Sequence, residues 1–339
     1  MKFPKTPITI ATVALLLLLS CNETGSSSGK KTGQAAGENT TTLSKGIHRY
    51  EKALFGIPQD RFRAGIIEIA GEYKVFLGGN QLSPDAINQL QAFVTDNQNQ
   101  EVYAECLKRF PDLSGLTVEL ENAFVRIKSE IPDFVVPEIY TYVSGFDFQY
   151  PVKYTDSALI IALDMYLGSD YSGYPNLGIP LYISDRLTPE HILPDCIKEI
   201  SMPLIKSNKS PVLLDAMIEE GKTLWFTDLM LPNTDDNLKI GFTGAQLAWC
   251  ADNEQNIWSF LIENELLYST DARSMSMFMT DGPFTASFSQ ESPSRTGAWL
   301  GWQIVKAYAK NNKSGLKELM SNVNSQEILE KSGYKPGKK

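Results

Sequence analysis

Histidine, the side chain that most often binds zinc or transfers protons in enzymes, is scarce in this sequence. Only His48 and His191 occur among 339 residues, and they lie in distant segments. A His-Glu-x-x-His motif is therefore excluded, and a zinc site with two histidines would need both segments. A P-loop and a Gly-x-Gly-x-x-Gly fingerprint are also absent, which removes two common signatures of nucleotide binding.

Cysteine is scarce as well, and its four positions are Cys21, Cys106, Cys196 and Cys250. No Cys-x-x-Cys spacing occurs, which excludes a zinc ribbon or a thioredoxin-type motif. Outside the cytoplasm, one pair among the last three cysteines could form a disulfide and leave an odd thiol. We favour the alternative that all three are buried thiols, which pack as small apolar side chains.

Long apolar runs are missing except at the amino terminus. Residues 8–19 form a mainly apolar run of about 12 residues, whereas a helix that crosses a bilayer needs about 20. Lys2 and Lys5 precede this run and give it a positive flank. The combination is typical of an export signal, and the short run disfavours an uncleaved membrane anchor.

The export signal ends in Leu18-Leu19-Ser20-Cys21. This tetrapeptide resembles the lipobox of bacterial lipoproteins, in which a small residue precedes the cysteine that receives the lipid. We therefore predict a signal peptide over residues 1–20 and an acylated Cys21; an ordinary signal peptide with an incidental Cys21 is the alternative. Asn22 is not the aspartate that retains some lipoproteins at the inner membrane, which favours the outer membrane.

Negative charge dominates the chain. Removal of residues 1–20, which carry Lys2 and Lys5 and no acidic residue, leaves 29 basic against 40 acidic residues, a net charge of −11. This balance argues against nucleic acid as a partner, because phosphate backbones require basic surfaces. Residues 22–42 are rich in Ser, Gly, Thr and Asn without an apolar period, so we predict that residues 21–42 form a flexible, lipid-bearing linker.

Residues 43–339 are predicted to form one globular domain of the α+β class that is predominantly helical. Apolar residues recur at helical spacing from Ile47 onward, and Ser83-Pro84 is typical of a helix start. Three segments rich in β-branched and aromatic residues predict a small mid-chain sheet: 136–142, 146–153 and 158–167.

The carboxy-terminal half is predicted to return to helices, with starts at Thr188, Ser210, Thr243 and Ser294. In the helix that begins at Ser294, Gly297 and Gly301 lie on one face, which predicts close packing against a neighbour.

Few side chains suggest chemistry. His191 follows a helix start, which favours a surface or capping role over metal binding. Glu219-Glu220-Gly221 lies inside a predicted helix, where glycine costs about 1 kcal/mol relative to alanine. Close packing is the favoured reason for that glycine, and an approaching ligand is the alternative. The sequence leaves open whether Asp164 and Arg295 are buried charges or lie on an exposed rim.

Several blocks together resemble the gliding motility lipoprotein GldB family. They are residues 146–171, residues 217–226 with Leu231-Pro232, residues 257–264, and residues 281–305. The resemblance covers about residue 49 to the carboxy terminus, and Cys21 matches the lipobox of the family. It implies a membrane-anchored component required for gliding motility, and it supplies no chemical mechanism or cofactor.

A more distant resemblance is to a family of predicted zinc-dependent proteases with a zincin-like helical fold. In this register Glu220 matches the third zinc ligand, but Pro194 and Lys198 stand where the two histidines would be, and Asp195 replaces the catalytic glutamate. Proline offers no ligand atom, and a protonated lysine repels a dication. The zinc motif is therefore lost, and Asp195, Lys198, Glu220 and Arg295 become candidates for a vestigial cleft.

The leading hypothesis is a non-enzymatic, lipid-anchored subunit that faces the periplasm and binds other envelope proteins of a motility or secretion apparatus. The alternative is an active metal-dependent hydrolase that uses His191 or carboxylates in an unusual site. A binder of small molecules in the former cleft is a third possibility.

Overall fold

The computed structural model describes residues 46–79, 82–155 and 157–336. The predicted signal peptide 1–20, the lipid-attachment residue Cys21 and the predicted linker 21–42 lie outside these residues.

A mixed sheet joins two distant parts of the sequence. Its strands are β1 (Ile47–Arg49), β2 (Glu138–Tyr142), β3 (Val152–Thr155) and β4 (Ala158–Ala162). Their order is β1-β2-β4-β3; β2 runs parallel to β1 and β4, and β3 is antiparallel to β4. Every residue of β4 is buried, as its unbroken apolar sequence predicts.

The sheet differs from the sequence prediction at three places. The strand predicted over 158–167 ends at Ala162, and Leu163–Met165 form a 3-10 helix instead. Residues 146–151 are a loop rather than the first part of a strand, because the Asp164 carboxylate accepts hydrogen bonds from the Ser144 and Phe146 backbone amides and fixes a turn there. The helical spacing of Ile47 with Tyr50 and Leu54 predicts a helix, but Ile47 begins β1, which has only three residues. The fold class, α+β and predominantly helical with a mid-chain sheet, is confirmed.

Helices precede β2. They are α1 (Tyr50–Phe55), α2 (Phe62–Ile69), α3 (Lys74–Leu77), α4 (Pro84–Thr95), α5 (Asn97–Arg109) and α6 (Ser114–Glu130). The predicted start of α4 is confirmed, since the Ser83 hydroxyl accepts a hydrogen bond from the Ala86 amide and Pro84 is the first helical residue.

Helices also follow β4. They are α7 (Gly173–Asn176), α8 (Leu181–Ser184), α9 (Ile192–Ser201), α10 (Leu213–Met230), α11 (Asp236–Ile240), α12 (Gly244–Asp252), α13 (Glu254–Glu263), α14 (Ala272–Met279), α15 (Thr296–Asn312), α16 (Leu316–Ser321) and α17 (Ser325–Ser332). Thr243 caps α12 as predicted. Ser210 does not cap α10, whose first turn is instead closed by a hydrogen bond from the Val212 amide to Asp215.

The pair α10 and α15 forms the centre of the carboxy-terminal half. A Cβ atom at Gly221 would overlap the Gly301 carbonyl, and one at Gly301 would overlap the Met217 carbonyl. Both glycines therefore allow two backbones to touch, which confirms the packing explanation for Gly221 and for the Gly297–Gly301 face. Trp302 of α15 is fully buried beside this contact.

The three described cysteines, Cys106, Cys196 and Cys250, are free and buried, as favoured above. Burial raises the pKa of each thiol, so they remain neutral. Within the described ranges, no helix is both long and apolar enough to cross a bilayer.

Candidate functional site

The four cleft candidates come from three elements that meet in space. Asp195 and Lys198 lie on α9, Glu220 lies on α10, and Arg295 is the residue immediately before α15. Further polar side chains join them. We use the name cleft cluster for Tyr166, Arg186, Asp195, Lys198, Glu220, Asp281 and Arg295.

One part of the cleft cluster is an aspartate held between two arginines. Arg186 donates two hydrogen bonds to Asp281, Nη1 to Oδ1 at 2.9 Å and Nη2 to Oδ2 at 2.7 Å. The Nε of Arg295 lies 2.8 Å from Asp281 Oδ1. Burial opposes ionisation of Asp281, but the two guanidinium groups outweigh burial and lower its pKa. Asp281 is therefore a charged structural partner.

Arg295 is held in an unusual backbone conformation. Its φ of 53° lies in the left-handed region, which is rarely adopted by residues other than glycine. Its side chain donates a hydrogen bond from Nη2 to the Ile240 carbonyl at 2.7 Å and lies over the Phe242 ring at 5.5 Å. These contacts hold Arg295 in the strained conformation. They also answer the question that the sequence left open: Arg295 is a largely buried charge and not part of an exposed rim, with its side chain 13% exposed.

The other part of the cleft cluster is an ion pair on α9. Lys198 Nζ lies 3.0 Å from Asp195 Oδ1, and the Tyr166 hydroxyl donates to Asp195 Oδ2 at 2.9 Å. Burial opposes ionisation of Asp195, but the Lys198 ammonium, which also donates a hydrogen bond to it, and the Arg186 guanidinium outweigh burial and lower the pKa of Asp195. Both carboxylate oxygens of Asp195 are thus engaged by side chains of this chain.

The two parts are electrostatically connected. The positive charge of Arg186 favours the ionised form of Asp195 as well as that of Asp281. The negative charge of Glu220 favours the charged form of Arg295. The cluster contains the cations Arg186, Lys198 and Arg295 and the anions Asp195, Glu220 and Asp281, so its formal charges balance. In this partly buried network the charges offset one another, although Arg295 Nε pairs with Asp281 by charge without a hydrogen bond.

The residues that the distant resemblance places at zinc-ligand positions do not fit zinc. Pro194 is buried and has no ligand atom, and the Lys198 ammonium already neutralises Asp195. Among the residues that the structure describes, no group of three or more His, Cys, Asp or Glu side chains could hold a metal ion. No catalytic step through a metal follows from this geometry.

The two histidines have separate partners. His191 is buried, so its predicted surface position is wrong. Its Nδ1 lies 3.0 Å from the Thr188 hydroxyl, and neither side chain makes a hydrogen bond that caps a helix. Burial lowers the pKa of His191 and favours the neutral ring. His48 of β1 lies 2.9 Å from Glu72 and stacks on Tyr140.

Asp164 has a structural role. It is fully buried, and in addition to the two amides of the turn it accepts a hydrogen bond from the Ser144 hydroxyl at 2.9 Å. Burial raises its pKa, and the hydrogen bonds act in the opposite direction. The carboxylate holds the loop between β2 and β3.

Sequence reasoning missed three members of the cleft cluster, namely Tyr166, Arg186 and Asp281. It also missed a second charged network, in which Asp228 of α10 contacts Lys239 at 2.9 Å and Lys306 at 3.3 Å and accepts a hydrogen bond from the Trp302 indole at 2.8 Å. Arg186 and Asp281 are 95 residues apart, and no local pattern reveals such a pair. The available signals were that Tyr166 lies within the block 146–171 and that Asp281 begins the block 281–305, both noted above.

Comparison with known protein families gives a match. No curated protein and no solved structure matches the chain. The model of a lipoprotein family described as gliding motility protein GldB matches residues 32–336, which is most of the chain. The chain therefore belongs to the gliding motility protein GldB family.

Proposed function

We propose that this protein is a non-catalytic, lipid-anchored subunit of the gliding apparatus that binds other envelope proteins. Membership of the GldB family implies a role in gliding motility, and the family name indicates a membrane-anchored envelope lipoprotein. The family description names no enzymatic activity. The proposal adds three statements to family membership: the protein is not a catalyst, it binds other envelope proteins, and it faces the periplasm. The outer membrane is the favoured location.

One observation carries the non-catalytic part. The polar groups that a hydrolase would use in the cleft are occupied by one another, as in the pairs Lys198–Asp195 and Arg295–Asp281. A general base or a metal ligand needs an available lone pair directed at substrate or metal. Here the carboxylates of Asp195 and Asp281 are directed at cations of the same chain.

The test is complementation of a gene deletion in the native bacterium. A strain with Glu220→Gln should spread like wild type, because a charge that only balances Arg295 can be replaced by its neutral isostere at small cost. Glu219→Gln is the matched control: it is the adjacent residue on α10, and its carboxylate accepts a hydrogen bond from Ser207.

Metal analysis of the same purified proteins completes the test. Stoichiometric zinc in the wild type, together with loss of spreading for Glu220→Gln but not Glu219→Gln at equal protein level, would establish the hydrolase alternative and overturn this proposal.

Anchoring has its own experiment. Cys21→Ser should abolish labelling by a fatty-acid analogue and block lipoprotein processing of the signal peptide. A Cys21→Ser protein that still carries label would show that the lipobox prediction is wrong.

A further inference from the structure

A groove opens beside the first turn of α9. Its volume is about 450 Å³, and its walls come from the start of α6, the start of α9 and the segment that leads into α11. Its apolar lining includes six side chains, which we call the floor: Phe110, Leu113, Leu116, Ile192, Leu193 and Leu238. This floor is an apolar surface of the kind that binds a partner.

The rim of the groove is acidic. Its charged members are Asp112, Glu119, Glu190 and Asp235, and each is exposed. Among the described lining residues none is a lysine or an arginine. Two arginines outside the lining interact electrostatically with rim carboxylates, Arg109 with Glu190 and Arg49 with Asp112. Because the rim has four carboxylates, its net charge is still negative. We name this site the acidic groove.

Helix geometry explains part of the rim. Asp112 and Asp235 lie just before α6 and α11, where the helix dipole stabilises a carboxylate. Glu119 is different, because it lies in the second turn of α6 and the dipole gives it no such support. Glu119 is therefore the rim residue at which a substitution best tests whether the rim binds a partner.

Charge and shape together favour one class of occupant. Small-molecule sites direct a few buried polar groups at the ligand, whereas the carboxylates here stand in solvent around an apolar floor. An extended or helical peptide segment could place apolar side chains on the floor while its basic side chains lie along the rim.

We propose that the acidic groove docks a basic, apolar segment of a partner protein. This inference rests on the proposed function and names the partner class for it. The segment would combine leucine-like side chains with lysine or arginine.

The experiment uses the mature, acylated full-length protein in nanodiscs of neutral lipid, with empty nanodiscs as the blank. The probe is a fluorescent peptide of leucine and lysine, and binding is followed by anisotropy. Control peptides replace lysine by glutamate or leucine by serine. We expect binding of the leucine–lysine peptide, and both control peptides should bind at least about tenfold more weakly.

Two pairs of variants test the location. Glu119→Lys should weaken binding about tenfold, whereas Glu263→Lys, the same charge change at an exposed residue that ends α13, should change it less than about twofold. Gly115 lines the groove and has open space at its Cβ position, so Gly115→Trp should block the site without distorting α6. Gly244→Trp is its control, since Gly244 also faces open space and begins α12.

The proposal is overturned if the control peptides bind equally well, or if Glu119→Lys and Glu263→Lys have equal effects. Self-association that Gly115→Trp abolishes would show that a second copy is the occupant, and it would overturn the proposal as well. These outcomes test the groove alone. The proposed function is tested separately, by the spreading of the strain that carries Glu220→Gln.

Discussion

The cleft cluster and the acidic groove both include residues of α9, and they use charge in opposite ways. In the cleft cluster, Asp195 and Lys198 neutralise each other and join a balanced network. One turn earlier, Ile192, Leu193 and Pro194 line a groove whose carboxylates face solvent. The comparison separates charges that neutralise one another within the fold from exposed charges on the groove rim, which we propose that a partner uses.

The largest expected effect concerns the helix pair that supports the cleft cluster. Gly301→Ala should destabilise the protein by about 3 kcal/mol or more, because its Cβ overlaps the Met217 backbone, which cannot move aside like a side chain. Urea unfolding of the full-length protein measures the change. Gly244→Ala is the control and should change stability by less than about 0.5 kcal/mol. Equal stability of the two variants would contradict the close contact.

The next largest effect should come from breaking the cleft cluster at its centre. Asp281→Asn leaves Arg186 and Arg295 without their shared counter-charge and should cost about 2–3 kcal/mol at neutral pH, measured by the same urea unfolding.

The pH dependence follows from the direction of the Asp281 shift. The pKa of Asp281 in the folded state lies below its value in the unfolded state. The stability that ionised Asp281 contributes is therefore complete above about pH 4 and is lost as the pH falls through the folded-state pKa. The difference between wild type and Asp281→Asn should therefore shrink in acid. A constant difference would show that Asp281 acts by packing alone.

A third prediction concerns Lys222, a buried lysine of α10. It is 1% exposed and donates a hydrogen bond to the Asn322 carbonyl; burial lowers its pKa to about 8. The unfolded chain therefore binds more protons between pH 8 and 10.5, and wild-type stability gains from this group as pH rises.

Lys222→Met removes this titration. Between about pH 7 and pH 9.5, wild type should gain about 2 kcal/mol relative to Lys222→Met. Urea unfolding at both pH values gives the difference, and Lys317→Met at an exposed position is the control. A pH-independent difference would contradict a buried, charged Lys222.

The smallest effect should be at the groove rim. Glu119→Gln should change the free energy of unfolding by less than about 0.5 kcal/mol, because this exposed carboxylate makes little contribution to the fold. A cost comparable to that of Asp281→Asn would remove the distinction between the two regions.

The sequence predicted the features that depend on local patterns. The apolar stripe of α15, the cap at Ser83 and the packing role of Gly221 and Gly301 all follow from short-range spacing, and the structure confirms them. The cleft candidates were selected by register with a distant family, and the structure brings them together: Asp195, Lys198, Glu220 and Arg295.

The remaining features depend on long-range contacts. β1 has too few residues for a period-two pattern, and only its parallel pairing with β2, about 90 residues later, makes it a strand. Residues 146–151 have strand-like composition, but the buried carboxylate of Asp164 holds them as a loop. The Arg186–Asp281 pair and the acidic groove arise only when distant segments meet.

The most direct test of the account replaces the α9 ion pair by neutral side chains of similar shape. A deletion strain that carries Asp195→Asn together with Lys198→Met should spread like wild type at equal protein level. The introduced amide oxygen can still accept the Tyr166 hydrogen bond, and a buried ion pair can be exchanged for neutral groups at little cost. Loss of spreading by a stably folded double variant would contradict the claim that the cleft is structural.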